Sequence, residues 1–168
     1  MNRKSTFFIV SALSGALLST GVLNAEEKGV DWKAFGAARV SLEKGLAAAQ
    51  AQGKPISGKF EMEEGKLQLS VYTANQNKFW EVIVDYATGK VTKTKEIKEG
   101  EDLSAAKAQS EAMAKAKKSL QAATEKAVAA NAGYRAVSVV PELKEGKPVA
   151  TIVLENATGT KDVSESLD

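Results

Sequence analysis

Residues 80–91 read WEVIVDYATGKV, and this segment is the most informative one about the architecture of the chain. Trp80, Val82 and Val84 fall on one face of a predicted β-strand and Ile83 falls on the other, because successive strand side chains point to opposite faces. A strand that is apolar on both faces is typical of the interior of a sheet or of a sheet covered on both sides. The glycine-containing end of the stretch predicts a turn.

Together with the residues before it, this segment forms one predicted unit at 41–92, an Ala-rich helix followed by three short strands. Ser41 predicts the start of the helix, since its hydroxyl can accept a backbone N–H of the first turn, and Gly53 predicts its end. Alternating apolar and polar residues then predict the strands. The turns between them are predicted at EEGK, residues 63–66, and at NQN, residues 75–77.

The same pattern recurs in residues 103–168, after a charged linker predicted at 93–102. A long helix is expected over 103–131, with a kink or break near Ser110 or Ser119, and strands follow it. The predicted fold class is therefore α+β, two repeats of an Ala-rich helix followed by a three-stranded antiparallel sheet. A three-stranded sheet is marginal on its own, so we expect the two copies to share one core.

Two alignments of the copies compete. The tripeptide ATG occurs at 87–89 and again at 157–159, and matching these two sites leaves the second copy one strand short. Counting strands instead places residues 157–159 at a different turn and keeps three strands in each copy. We favour the strand count, because turns are replaced more easily than strands are lost.

The first residues predict export. Arg3 and Lys4 precede an apolar stretch that ends in small residues, which is the pattern of a signal peptide over residues 1–25. Residues 26–40 are then a lead-in segment. The apolar stretch is shorter than the roughly 20 residues of a bilayer span. We therefore expect a mature chain that does not span the membrane and that resides in the periplasm of a bacterium.

The charge balance argues against nucleic acid as a partner. The chain has 23 basic and 21 acidic residues, a net charge of +2, and loss of Arg3 and Lys4 with the signal would leave 21 of each sign. Nucleic-acid binding needs a surplus of basic side chains to neutralise phosphates. Only Arg39 and Arg135 would then supply the guanidinium groups that read bases or phosphates in pairs.

Histidine and cysteine are absent from the sequence. Their absence excludes Ser–His and Cys–His nucleophiles, thiol redox chemistry and ordinary zinc sites. A Gly-rich phosphate-binding loop is also absent. We therefore predict no catalytic, metal-binding or cofactor-binding residue and expect the protein not to be an enzyme.

Two segments resemble the PepSY family. VDYATGKV at 84–91 is similar to the ending of these domains, and SLEKGLAAA at 41–49 is similar to the start of their helix. The second copy lacks that ending. The resemblance implies an exported, non-catalytic module of the kind found in propeptides of secreted metallopeptidases and in cell-envelope proteins, where it is thought to restrain peptidases. It implies no particular inhibitory residue.

The first hypothesis about binding places a partner at an edge strand. A small antiparallel sheet can offer such a strand to an extended segment of another protein, here a peptidase or another envelope protein. The edge strand is predicted at 163–167, with Val163, Glu165 and Leu167 as the partner-binding residues. The sequence leaves the oligomeric state open.

The second hypothesis is a module of the cell envelope that senses a small ligand or a peptide. The ligand would lie between helix and sheet, against Tyr72, Trp80 and Phe60. Tyr72 and Trp80 are the predicted ligand contacts.

Overall fold

The structure is a computed structural model and describes residues 32–168. The predicted signal peptide and the first part of the lead-in segment lie outside the described residues. The helices are α1 Trp32–Phe35, α2 Leu42–Ala49, α3 Gly100–Lys115 and α4 Leu120–Ala129, with a single 3-10 turn at Gln50–Gln52 after α2. The strands are β1 Lys54–Glu63, β2 Lys66–Asn75, β3 Lys78–Val84, β4 Val91–Ile97, β5 Arg135–Lys144, β6 Lys147–Asn156 and β7 Gly159–Ser166.

The strands form one antiparallel sheet of seven strands in the order β4-β3-β2-β1-β5-β6-β7. The predicted α+β class is therefore confirmed, with the strands of both halves in one sheet. The two halves meet where β1 pairs with β5, and this ladder holds only Gly58↔Val139 and Lys59↔Ser138. Pro141 lies two residues beyond Val139 on β5 and has no backbone N–H to extend the pairing.

Helices cover both faces of the sheet. A Cβ added at Gly58 would lie 3.1 Å from Leu46 and 3.3 Å from Leu42, so Gly58 faces α2. The preceding residue, Ser57, points the opposite way and donates its hydroxyl hydrogen to Gln109 Oε1 of α3 at 2.8 Å. Since α4 packs against α2, we call this side the apolar face and the other side the α3 face.

The apolar face holds one continuous core. Leu46, Val71, Leu120 and Ile152 are each at most 1 % exposed and belong to the same cluster of buried residues. Leu46 and Val71 come from the first half of the chain, and Leu120 and Ile152 come from the second. One hydrophobic core therefore spans both halves.

The charged linker predicted at 93–102 is corrected by the structure. Residues 91–97 form β4, which pairs with β3 from Val84↔Val91 to Phe79↔Ile97. The sequence pattern predicted a linker here because lysines interrupt the apolar alternation that is typical of a strand. An edge strand tolerates them, and Lys93 and Lys95 are both exposed. The first half therefore has four strands.

The helix predicted over 103–131 is two helices. α3 ends at Lys115, and α4 begins after Ser119, whose hydroxyl accepts the Ala122 N–H at 3.1 Å. The break expected near Ser119 is confirmed. A continuous helix is impossible here because α3 lies on one face of the sheet and α4 on the other. The chain turns around the strand ends at 116–119.

The two halves share local geometry. The turn between β1 and β2 has φ of 51° at Glu64 and 76° at Gly65, and the turn between β5 and β6 has φ of 51° at Glu145 and 77° at Gly146. A register shift also occurs at the third residue of the first strand in each half. The turn at 157–158 lies between β6 and β7, where the strand count placed it.

Arg135 of β5 clamps the lead-in segment to the second half. Its guanidinium donates to Ala38 O at 2.8 Å and to Phe35 O at 3.4 Å, and it lies 4.4 Å from the centre of the Phe35 ring. Burial lowers the pKa of Arg135 from its usual value, and the Glu43 carboxylate opposes this effect. The clamp joins residues about 100 positions apart in the sequence.

We expect Arg135→Lys to destabilise the protein by about 1 to 2 kcal/mol, because an ammonium cannot reproduce the fork that contacts two carbonyls and the ring. Urea denaturation would measure the loss. The matched control is Arg39→Lys, since the Arg39 side chain is exposed. Equal stability of both variants would show that the Arg135 clamp contributes nothing.

Candidate functional site

The clearest candidate for partner binding is the outer edge of β7. This strand pairs with β6 on one side, and no strand within residues 32–168 pairs with its other side. Six of its eight residues are exposed, namely those from Gly159 to Asp162, Ser164 and Ser166. An open edge presents unpaired N–H and C=O groups to another chain.

The backbone direction along β7 follows from its hydrogen bonds. Leu167 donates its N–H to Pro148 O of β6 at 3.0 Å. Because inward and outward groups alternate along an antiparallel strand, Val163 and Glu165 also direct their N–H groups to β6. The groups of Asp162 and Ser164 therefore point outward and are available for pairing.

The three residues predicted at the edge differ in their position and exposure. Val163 and Glu165 lie on β7 and are half-buried. The Glu165 carboxylate accepts a hydrogen bond from Lys126 Nζ of α4 at 2.5 Å. The placement of Leu167 at the edge is wrong, because its side chain is fully buried after the end of β7. Its carbonyl instead accepts the N–H groups of Lys117 and Lys118.

The predicted ligand site does not form. Trp80 pairs with Thr73 and Phe60 pairs with Leu69, which places Trp80 and Phe60 on the apolar face. Tyr72 is adjacent to Thr73 and therefore points to the α3 face. It is also only 2 % exposed. Tyr72 and Trp80 lie on opposite sides of the sheet and cannot contact one ligand.

A polar layer between α3 and the sheet was not anticipated. Lys59 Nζ lies 2.7 Å from Glu61, and Ser70 donates its hydroxyl hydrogen to the same carboxylate at 2.7 Å. Tyr72 OH lies 3.5 Å from Glu81 Oε1. Alternating polar residues, as in β1, are typical of a sheet face in contact with water. That pattern is the same whether water or a polar helix covers the face, so the sequence held no signal for the layer.

Glu81 is a perturbed carboxyl of this layer. Burial raises the pKa of Glu81 above its ordinary 4.5, and the Glu61 carboxylate raises it further, while Lys95 and Lys59 lower it. Burial also raises the pKa of Asp102 at the start of α3. A cavity of about 160 Å³ opens beside Glu81. Raised carboxyl pKa values arise at functional sites and in structural networks alike.

We expect Glu81→Gln to change how stability depends on pH. The folded protein holds the Glu81 proton more tightly than the unfolded chain does, so this contribution is fully present below pH 4.5 and is lost as pH rises through the raised pKa. The melting temperature of the variant minus that of the wild type should therefore increase with pH across this window. A difference that stays constant would mean that Glu81 titrates normally.

The turn after β3 has a structural role. Asp85 accepts the N–H groups of Ala87 at 3.1 Å and Thr88 at 2.6 Å, and the Thr88 hydroxyl at 2.7 Å. These bonds from Thr88 lower the pKa of Asp85. Tyr86 O accepts the N–H groups of residues 39 and 40 at 3.0 and 2.9 Å. The turn thus fixes the lead-in segment above β3.

A larger cavity lies at the end of α3. It has a volume of about 290 Å³ and an apolar floor formed by Ile56, Ala74, Phe79 and Met113. Lys54 lies at its rim and donates from Nζ to Met113 O at 2.6 Å. No sequence pattern predicted this cavity, because its residues come from three strands and a helix.

The turn and the strands around it form the first half of the sheet. Residues 39–95 match the family model PepSY, Peptidase propeptide and YPEB domain. The matched PepSY segment is about a third of the 168-residue chain and runs from the lead-in into β4. It encloses the predicted range 41–92. The PepSY description suggests a module related to peptidase propeptides or inhibitors.

No curated protein and no solved structure matches the chain significantly. Within residues 32–168, no three side chains of the types that bind metals lie together as a possible site. In the same part of the chain, no helix has both the length and the apolar character of a bilayer span.

Proposed function

We propose that the protein is an exported, non-catalytic module that binds and restrains a peptidase or another envelope protein. The observation that carries the proposal is the open outer edge of β7 in a protein whose first half matches PepSY. An extended segment of the partner would add as an eighth strand beside β7, with main-chain hydrogen bonds to Asp162 and Ser164.

We also propose that the chain holds two PepSY-like copies, at 41–92 and 103–168, behind a signal peptide at 1–25. The equal turn geometry at 64–65 and 145–146 supports a common origin of the two halves. So does the order of the elements, since α2 and α4 are each followed by an antiparallel meander. On this proposal the second copy has diverged and supplies the binding edge.

The test uses the backbone of Ser164. Ser164→Pro removes an outward N–H and leaves the hydrogen bonds to β6 intact, whereas Ser164→Ala keeps that N–H and is the matched control. Each purified variant would be added to the secreted and envelope fractions of the source cell, and hydrolysis of casein would be followed. Wild type and Ser164→Ala should lower the rate, and Ser164→Pro should do so much less.

Affinity capture from the same fractions would identify the bound protein. It should be recovered with wild type and Ser164→Ala and be depleted with Ser164→Pro. Thermal melting of each variant confirms that the fold is intact. Equal inhibition and equal capture by all three proteins would exclude β7 as the binding edge. No inhibition by any of them would exclude a peptidase as the target.

The cavity at the end of α3 supports a second candidate, a module that binds a small apolar ligand or peptide side chain. Its floor is apolar and its size suits one aliphatic side chain, with the Lys54 ammonium at the rim for a carboxylate. We would label methionine methyl groups with ¹³C and titrate with leucyl-leucine. A saturable shift at Met113 with none at the exposed Met62 would support this candidate, and an unmoved Met113 would exclude it.

A further inference from the structure

The two edges of the sheet differ in how they would meet a second copy of the chain. When two identical strands pair in antiparallel fashion, one residue, the centre of the register, lies opposite the same residue of the second copy. The centre is a residue and not a peptide bond, because two facing residues must both direct their backbone groups toward the partner strand or both direct them away from it. If Thr94 of β4 faces Thr94 of a second copy, Lys93 lies opposite Lys95 of that copy. A centre at either lysine places that lysine opposite itself. Like charges placed directly opposite destabilise a pair, so β4 resists self-pairing.

β7 is complementary to itself in one register. With Val163 at the centre, Lys161 of each copy lies opposite Glu165 of the other, so two opposite-charge pairs flank an apolar pair. The outward groups of Asp162 and Ser164 then face each other and form hydrogen-bonded pairs. Centres at Lys161, Asp162 or Glu165 would instead place like charges together.

The side chains of Lys161 and Glu165 both contact residues at or just beyond α4, on one side of the sheet. Lys161 Nζ lies 2.6 Å from Asn131 Oδ1 beyond the end of α4, and Glu165 accepts from Lys126 of α4. Both pair across to residues of the apolar face, Leu154 and Ala150. The Lys161 and Glu165 side chains therefore lie on the same side of the sheet, as the charge pairs between two copies require.

We propose that two copies of this chain associate through β7 in the register centred on Val163, making a continuous sheet across a two-fold axis. Strand pairing alone buries little surface, so the dimer is weak and depends on concentration. The dimer does not rest on the proposed function. It uses the same edge, however, so a second copy and an extended partner segment exclude each other.

A single introduced cysteine tests the register, since the chain has none of its own. In this register Val163 forms a non-hydrogen-bonded pair with Val163 of the second copy. The Cα atoms of such a pair lie about 4.5 Å apart, which is within the range of a disulfide. Val163→Cys should therefore give a covalent dimer under mild oxidation. Ser164 is the matched control. Its Cα atoms lie roughly 8 Å apart in this register, so Ser164→Cys should stay monomeric.

Charge-reversal substitutions test the two pairs between Lys161 of one copy and Glu165 of the other. Lys161→Glu places carboxylates opposite each other in its homodimer, and Glu165→Lys places ammonium groups opposite each other, so each variant alone should be monomeric in sedimentation. In an equimolar mixture both cross-strand pairs become attractive again, and dimers should reappear. A misfolded variant would not be rescued by mixing, so recovery identifies the interface.

Wild type that sediments as a monomer even at millimolar concentration would overturn the dimer. Equal cross-linking of Val163→Cys and Ser164→Cys, or a mixture that stays monomeric, would overturn this register. These measurements use the purified protein alone, whereas the proposed function is tested with peptidase activity. Failure of one is therefore distinguishable from failure of the other.

Discussion

A chain truncated after Lys98 should lose cooperative folding altogether. The fragment keeps α2 and the first four strands but loses α4, which packs against α2, and β5, which pairs with β1. It also loses Arg135, the clamp on Phe35 and Ala38. On the other face it loses α3, which covers Ser57. Buried surface on both faces would become exposed, and no disulfide compensates, since the chain has no cysteine.

The measurement is thermal unfolding of the fragment by circular dichroism, with the full chain as reference. We expect a broad transition without a baseline of native structure. Dye binding to exposed apolar surface should rise at room temperature. A sharp transition close to the midpoint of the full chain would mean that the first half folds independently, and it would refute a shared core.

Ile152→Ala should destabilise the first half of the chain although the substitution lies in the second. Ile152 is fully buried, and replacing such a side chain by alanine costs about 3 kcal/mol, equivalent to a fall in melting temperature of roughly 6–12 °C. The two tryptophans of the chain, Trp32 and Trp80, both precede β4. Tryptophan fluorescence therefore reports the first half, and its midpoint should fall with that of the circular dichroism signal.

Lys147→Ala is the matched control, because it lies on the same strand and is exposed. It should leave both midpoints unchanged within error. If Ile152→Ala lowered the circular dichroism midpoint and left the fluorescence midpoint in place, the halves would unfold separately. The continuous core described here would then be a contact between two independent units.

Local signals predicted much of this fold. Ser41 and Ser119 cap α2 and α4 as their hydroxyl chemistry requires, with bonds of 3.4 and 3.1 Å. The turn predicted at 63–66 falls where Gly65 adopts a positive φ. These features depend on residues within a few positions of one another, which is the range over which a sequence pattern carries information.

The failures all involve contacts made by distant parts of the chain. Lys93 and Lys95 suggested a linker, because the pattern of an edge strand is weak when charges occupy it. Tyr72 was expected to contact a ligand, but α3 covers its face of the sheet. Leu167 was assigned to the edge by its spacing, and it is instead buried by the crossover at 116–119. In each case tertiary covering decided exposure, and periodicity does not contain that information.

The crossover at 116–119 is closed by a contact between distant parts of the chain. Lys117 and Lys118 can donate their N–H groups at 2.8 and 3.0 Å only after Leu167 has been synthesised, some 50 residues later. Until then, residues 117 and 118 lack these two hydrogen bonds, although Gln109 and Met113 already hold α3 to β1. Nascent chains of increasing length should therefore show amide protection at Lys117 last, after the strands of the first half have formed. The connection between the two faces of the sheet thus depends on a residue some 50 positions away in the sequence.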